Sequence, residues 1–169
     1  GVDVMEGYMI IGEEVRNQLL SFDLDQITHV FLQAGVGGFA AAIALSLRKF
    51  LRKDAKIIVV EPNRAKTLFV SLQNGKPSLA KGKVSIMGRL DCKEPSWTAF
   101  HSLTKTTNFF MHLEDDYVEK KLKFINDLGI TTSPSGGAGI IALIYATENQ
   151  LFEINKDTSS LVFLTEGKI

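Results

Sequence analysis

The chain has 169 residues, of which 45% are hydrophobic and 22% charged, a composition ordinary for one globular domain. Its 19 lysines and arginines balance 19 aspartates and glutamates, so no overall basic field exists to attract nucleic acid. One cysteine, three scattered histidines and no apolar run of membrane-spanning length argue against disulfides, a metal site and a membrane anchor, and we expect a cytoplasmic protein.

The first fifty residues are predicted to hold two helices with a strand between them. Apolar residues recur at helical spacing over Tyr8–Phe22, which indicates an amphipathic helix covering a sheet. A short apolar strand, His29–Gln33, follows, and a second helix runs to Leu51. Between this strand and the second helix lies the sequence AGVGG, residues 34–38, hereafter the glycine loop.

The glycine loop is the strongest local signal in the chain. Glycines let the backbone turn tightly and approach a ligand without a Cβ clash. The unpaired N–H groups at the start of the following helix carry partial positive charge, which suits a phosphate. The loop therefore predicts a phosphorylated cofactor or nucleotide, the alternative being a tight strand-to-helix turn without a ligand.

The remaining elements complete an alternation of strands and helices. In chain order they are a strand Lys56–Val60, a helix Ala65–Asn74 ended by Gly75, an irregular segment Lys76–Lys93, a helix from an N-cap at Ser96 to Lys105, a strand Asn108–Leu113, a helix from Asp115 or Asp116 to a cap at Gly129, a second glycine turn Ser133–Gly139, a helix Ile140–Ala146 and a strand Leu161–Leu164. The inward positions predicted for the two middle helices are Trp97, Phe100, Leu103 and Thr104, and Val118, Leu122, Ile125 and Leu128. Strands that are apolar throughout and separated by helices predict an α/β fold of three layers with a mostly parallel sheet.

Taken alone, the glycine loop also fits a dinucleotide site. Gly35, Gly37 and Ala40 match G-x-G-x-x-A, and Glu61 follows the next strand, where dinucleotide enzymes hold a ribose hydroxyl. An NAD(P)-binding oxidoreductase domain is therefore one hypothesis.

A longer pattern resembles a different family. The segments MEGY, THVFLQAGVGG, VVEPNRA, SIMGRLDCKEPS, SGGAG and LVFLTEG occur in this order. Together they resemble the C-terminal half of diaminopropionate ammonia-lyase, a pyridoxal-phosphate (PLP) enzyme of fold type II. The resemblance implies that residues 1–169 are a single domain with part of the tryptophan synthase β-like fold, and PLP as cofactor.

The resemblance also implies which residues hold the cofactor. Its phosphate is expected on the backbone N–H groups of Ala34, Gly35, Val36, Gly37 and Gly38. The hydroxyl of Thr165 is expected at the pyridine nitrogen, where a neutral partner leaves that nitrogen unprotonated. The alternative for Thr165 is that it only ends a strand.

The implied reaction converts 2,3-diaminopropionate to pyruvate and ammonia, in amino-acid catabolism, by a homodimer. The Schiff-base lysine lies in the N-terminal half of family members, so no catalytic residue is expected in this chain, and the chain alone is expected to be inactive. Because the chain begins at Gly1 rather than methionine and stops directly after an apolar strand, we expect it to be part of a longer protein.

Three departures from the family pattern accompany the resemblance. Arg89 and Lys93 stand where small residues line the cofactor ring, and Arg89 would crowd that ring unless it points away. Ser133-Pro134 replaces an acidic residue before the second glycine turn. These changes favour an alternative hypothesis, a truncated or degenerate relative that folds and associates without catalysis.

Overall fold

Four parallel strands form the sheet of this computed structural model, which describes residues 2–20 and 26–167, with side chains described from residue 7 onward. The strands are β1 (Ile27–Gln33), β2 (Lys56–Pro62), β3 (Phe109–Leu113) and β4 (Ser159–Val162). Their order across the sheet is β3-β2-β1-β4, and every neighbouring pair is parallel. All four carboxyl ends therefore lie at one edge of the sheet, where open parallel sheets bind their ligands.

Six helices among the described residues pack around this sheet and cover both of its faces, the first of them through its contact with the second. They are α1 (Val2–Leu19), α2 (Gly38–Leu47), α3 (Thr67–Asn74), α4 (Trp97–Thr106), α5 (Asp115–Asp127) and α6 (Ala138–Glu148), with short 3-10 turns at Asn63–Ala65 and Gly88–Leu90. Val30 and Leu32 of β1 point into one core with α2 and α4, whereas Phe31 points into the other with α5 and α6. Both faces of the two central strands, β1 and β2, are thus buried, which explains why these strands are largely apolar. The predicted three-layer α/β fold with a parallel sheet is confirmed.

The first helix differs from its prediction in length and in partner. It begins at Val2 rather than Tyr8, and the predicted end at Phe22 lies outside the described residues. Its contacts are chiefly with α2 rather than with the sheet. Gly12 explains the close approach, because a Cβ there would lie only 2.3 Å from Oγ of Ser46 on α2.

Two other helices bury different residues from those predicted. In α4, Phe100 and Leu103 are buried as expected, but Trp97 is 64% exposed and Thr104 is also exposed. In α5, Leu128 is 64% exposed, because the helix ends at Asp127 before it. Helical spacing identifies an apolar stripe, but burial also requires a neighbouring element over each position of that stripe.

The helix ends largely follow their predictions. Ser96 is the N-cap of α4, and its Oγ accepts a hydrogen bond from the Ala99 N–H at 3.3 Å. Gly75 and Gly129 follow α3 and α5 with φ of 66° and 86°, the left-handed conformation that favours glycine. The second helix ends at Leu47, before the predicted Leu51. In the described part of the chain, no helix is long and apolar enough to cross a membrane.

Candidate functional site

A cavity of about 660 Å³ opens at the carboxyl edge of the sheet, beside the glycine loop. It is lined by the loop itself, the 3-10 turn Gly88–Leu90 and the segment 163–166 that follows β4, and also by two residues of α1 and one of the second glycine turn. All six residues predicted to bind the cofactor line this glycine-loop cavity; they are Ala34, Gly35, Val36, Gly37, Gly38 and Thr165. The fold therefore brings the two predicted groups, which are about 130 residues apart in the sequence, to one opening.

The glycine loop presents a row of unused hydrogen-bond donors. The N–H of Ala34 donates to the carbonyl of Val60 at 2.8 Å and so continues the sheet ladder. The N–H groups of residues 35–39, by contrast, donate to no acceptor among the residues that the structure describes. They lie at the start of α2, where the helix dipole adds partial positive charge. Ala34 thus forms part of the cavity wall, and the N–H groups that are free to bind a ligand begin at Gly35.

Close packing fixes the shape of the glycine loop. A Cβ on Gly35 would lie 3.0 Å from Sγ of Cys92, and Gly37 has φ of 98°. The carbonyl of Val36 accepts a hydrogen bond from the Ser96 N–H at 2.9 Å, which ties the loop to the start of α4. The loop is therefore held in place before any ligand arrives.

Gln33, the last residue of β1, links the loop to the segment after β4. Its Nε2, which carries two hydrogens, lies within hydrogen-bond distance of three acceptors, so that two of them share one hydrogen. These acceptors are the carbonyls of Phe163 at 3.0 Å and Gly136 at 3.3 Å, and Oγ1 of Thr165 at 3.2 Å. The side chain is 2% exposed, and its Oε1 has no partner among the described residues. Sequence reasoning missed Gln33, although a polar residue at the end of an apolar strand directly before a glycine loop was the available signal.

The hydrogen bond from Gln33 determines what Thr165 can offer. Because the Thr165 oxygen accepts from Nε2, its own hydroxyl hydrogen is left to donate elsewhere. Thr165 is exposed at the cavity, and its N–H lies 3.5 Å from the carbonyl of Gly136. The second glycine turn therefore positions Thr165, and the hydroxyl is a donor suited to a neutral ring nitrogen.

Of the residues that depart from the family pattern, Arg89 lines the cavity and Lys93 does not. Lys93 does not line the cavity, because its Nζ donates to the carbonyls of Arg64 at 2.8 Å and Lys83 at 3.1 Å. Arg89 does line it, and its Nε lies 2.5 Å from Oε1 of Glu166. Ser133 donates to the other oxygen of Glu166. Lys93, expected in place of a small residue beside the ring, is therefore not on the cavity wall, whereas Arg89 is.

Glu61 is a structural cap rather than a ligand for ribose. Its carboxylate is fully buried and accepts hydrogen bonds from the N–H groups of Leu68 and Phe69, each at 2.8 Å. Burial raises the pKa of Glu61 to about 8, against the opposing effect of these two N–H groups and of Lys66. Because Glu61 is 0% exposed and turned to the start of α3, it cannot reach a ribose hydroxyl, and the dinucleotide hypothesis loses the residue on which it depended.

Side chains that could move a proton or attack a substrate are few around the cavity; among the described residues that line it they are Tyr8, Cys92, Ser135, Thr165 and Glu166. Among the residues that the structure describes, no lysine and no histidine lines it. His29 instead pairs its Nε2 with the carbonyl of Phe152 at 2.8 Å. Across residues 2–20 and 26–167, no three His, Cys, Asp or Glu side chains lie together as a metal site would require. The cavity thus offers hydrogen-bond donors and one ion pair.

Comparison with known proteins identifies the family. The model of the family described as pyridoxal-phosphate dependent enzyme matches residues 1–166. The chain belongs to this family. Its PLP-dependent relatives include the diaminopropionate ammonia-lyases of Salmonella typhimurium, 30% identical over 97% of this chain, and of Escherichia coli, 29% identical over 97%. The chain spans about half the length of these curated relatives, 45% and 44% respectively.

Solved structures of PLP-dependent enzymes share this fold. Diaminopropionate ammonia-lyase from Escherichia coli, solved with an aminoacrylate–PLP reaction intermediate, superimposes with a TM-score of 0.81 at 26% identity. That match covers 97% of this chain and 45% of the other. Threonine deaminase isoform 2 from Solanum lycopersicum gives a TM-score of 0.83 at 21% identity, over 98% of this chain and 46% of the other, and supports the fold alone. The predicted fold type II is confirmed, and so is PLP as the cofactor of the family.

The residues of the glycine-loop cavity fit PLP. The unpaired N–H groups of residues 35–39 match a phosphate, which is an acceptor with several oxygens. The free hydroxyl hydrogen of Thr165 matches a neutral pyridine nitrogen. A cavity of about 660 Å³ lies within the range of small-molecule sites.

Proposed function

We propose that this chain is the C-terminal part of a PLP-dependent diaminopropionate ammonia-lyase-like enzyme and binds the phosphate end of the cofactor. The observation that carries the proposal is the row of N–H groups at residues 35–39, which have no acceptor in the described protein and face a cavity at the carboxyl edge of the sheet. The identity of 30% with the Salmonella typhimurium enzyme over 97% of the chain supports the reaction class.

Each proposed ligand has a distinct role. Gly35, Val36, Gly37 and Gly38 donate their N–H groups to the phosphate, and Ala34 forms the wall behind it. Gln33 holds the Thr165 oxygen, so that the hydroxyl hydrogen points to the ring nitrogen and leaves it unprotonated. When bound, PLP supplies the electron sink for a carbanion at Cα of an amino acid. An unprotonated ring nitrogen moderates that sink, which suits elimination of a β-substituent.

The complete reaction requires groups beyond this chain. We propose that the cofactor-binding lysine and the residues that abstract the α-proton belong to an N-terminal part, because no lysine lines the cavity in the described residues. The substrate would be a small amino acid, 2,3-diaminopropionate, which yields pyruvate and ammonia. A cytoplasmic homodimer is the assembly that we propose for the complete enzyme.

A second function is a non-catalytic relative that keeps the fold and the cofactor cavity. Arg89 is the observation that favours it, because a charged side chain stands at the cavity wall where the family usually has a small residue. In that case the chain would still bind phosphate at the glycine loop but would not support elimination.

A pyruvate assay separates these functions. We expect no pyruvate release from 2,3-diaminopropionate by the chain with PLP alone, and release once the N-terminal part of the polypeptide is added. Pyruvate release by the chain alone would contradict the proposal that the cofactor-binding lysine lies outside this chain. Bound PLP without pyruvate release from the combined parts would favour the non-catalytic relative.

A nicotinamide dinucleotide is expected not to bind. Titration of the chain with this ligand should leave the fluorescence of Trp97 unchanged, because Glu61 already accepts hydrogen bonds from Leu68 and Phe69.

A further inference from the structure

Arg89 and Glu166 form an ion pair on the wall of the glycine-loop cavity. Nε of Arg89 lies 2.5 Å from Oε1 of Glu166, and both residues line the cavity. The carbonyl oxygen of Arg89 is 3.1 Å from the position that a Cβ on Gly35 would take. The turn that carries Arg89 therefore packs directly against the glycine loop.

The two partners of this ion pair are held very differently. The Glu166 side chain is 18% exposed, its second oxygen accepts from Oγ of Ser133, and its carbonyl accepts from Oγ1 of Thr132 at 2.7 Å. The Arg89 side chain is 71% exposed, and its Nη1 and Nη2 donate no hydrogen bond to any residue that the structure describes. The carboxylate is thus fixed, while the guanidinium keeps donors free.

A guanidinium in this arrangement is suited to an oxyanion. Its planar edge donates two parallel hydrogen bonds to a carboxylate or a phosphate. Because the ion pair with Glu166 is largely exposed on the arginine side, solvent screening keeps that ion pair weak. An incoming oxyanion therefore competes with Glu166 for the same side chain.

We propose that Arg89 is a specificity-determining residue that binds an oxyanion of the bound ligand, with Glu166 as its competitor. The inference rests on the proposed function, in which the glycine loop takes the cofactor phosphate. The oxyanion is either an oxygen of that phosphate or the carboxylate of the amino-acid substrate. In both cases Arg89 selects ligands that carry negative charge in this part of the cavity.

The test measures the affinity of two anions for the chain and for its Arg89→Ala and Glu166→Gln variants. Inorganic phosphate is titrated first, by calorimetry. Acetate is then titrated into the phosphate-saturated chain and followed through the Arg89 Nε–H resonance and the backbone amide resonances. We expect Arg89→Ala to lower the affinity for one of these anions by about tenfold and Glu166→Gln to raise the affinity for the same anion. An effect on phosphate assigns Arg89 to the cofactor, and an effect on acetate assigns it to the substrate carboxylate.

Matched controls use an ion pair away from the cavity. Arg16 lies 3.4 Å from Glu13 on the exposed face of α1, so Arg16→Ala and Glu13→Gln make the same charge changes there and should leave both affinities unaltered. The inference is overturned if Arg89→Ala leaves the affinities for both anions unchanged or raises them. A rise in affinity is expected if the Arg89 side chain merely crowds the cavity. If Arg89→Ala and Glu166→Gln both lower the affinity for the same anion, the inference is also overturned, because the ion pair then only holds the cavity wall in shape. If the unaltered chain binds no phosphate, the proposed function fails and the inference fails with it.

Discussion

Gly37→Ala is expected to weaken phosphate binding by about tenfold or more and to lower the free energy of unfolding by about 2 kcal/mol. Gly37 has φ of 98°, which an L side chain adopts only with strain. A Cβ there would also lie 3.1 Å from the Cβ of Ala99 and 3.2 Å from Cδ1 of Leu68, so the loop must shift. Such a shift displaces the N–H groups of residues 35–39, which have no acceptor among the described residues and are the proposed phosphate ligands.

Gly75→Ala is the matched control for this substitution. Gly75 also has a positive φ, 66°, but a Cβ there meets no atom within 4 Å, and the residue is not on the cavity. It should cost about 1 kcal/mol of stability from backbone strain and leave phosphate affinity unchanged. Calorimetric phosphate titration and denaturant unfolding measure the two effects. Unchanged phosphate affinity in Gly37→Ala would show that the anion is held elsewhere.

The second large effect concerns the buried carboxylate of Glu61. Because burial raises its pKa in the folded state from 4.5 to about 8, the folded chain binds more protons than the unfolded chain between these values. The free energy of unfolding should therefore fall as the pH rises from 4.5 to 8, by up to about 1.4 kcal/mol per pH unit, and level off above that range.

Glu61→Gln should abolish this pH dependence, because glutamine does not titrate. Denaturant unfolding of both proteins from pH 4.5 to 9 provides the comparison. The difference between them also cancels the contribution of His112, whose pKa burial lowers. If the two stabilities remain parallel over the whole range, Glu61 is ionised in the folded state and its two N–H partners outweigh burial.

The sequence predicted those features that depend on local backbone chemistry. The glycine loop, the cap at Ser96 and the glycines that end α3 and α5 follow from residue types that few other conformations favour. The parallel sheet followed from strands with apolar residues on both faces. Ala34 was predicted as an N–H donor to phosphate, but its N–H belongs to the ladder with β2, a pairing that adjacent residues do not reveal.

The features that escaped prediction depend on contacts between distant segments. Gln33 reaches the carbonyls of Gly136 and Phe163, about 100 and 130 residues away, and no local pattern specifies that network. The pairing of Arg89 with Glu166 and the capping of α3 by Glu61 are of the same kind. For each residue the sequence showed a charged or polar side chain near a strand end or a turn, and only the fold showed what it contacts.

The most direct test of phosphate binding at the glycine loop follows each backbone amide by nitrogen-15 NMR during titration with inorganic phosphate. We expect saturable shifts that are largest for the N–H groups of residues 35–39, which have no protein acceptor among the described residues. The Ala34 N–H, already bonded to Val60, should shift far less. Saturable shifts confined to other parts of the chain, or no saturable binding, would contradict phosphate binding at the glycine loop.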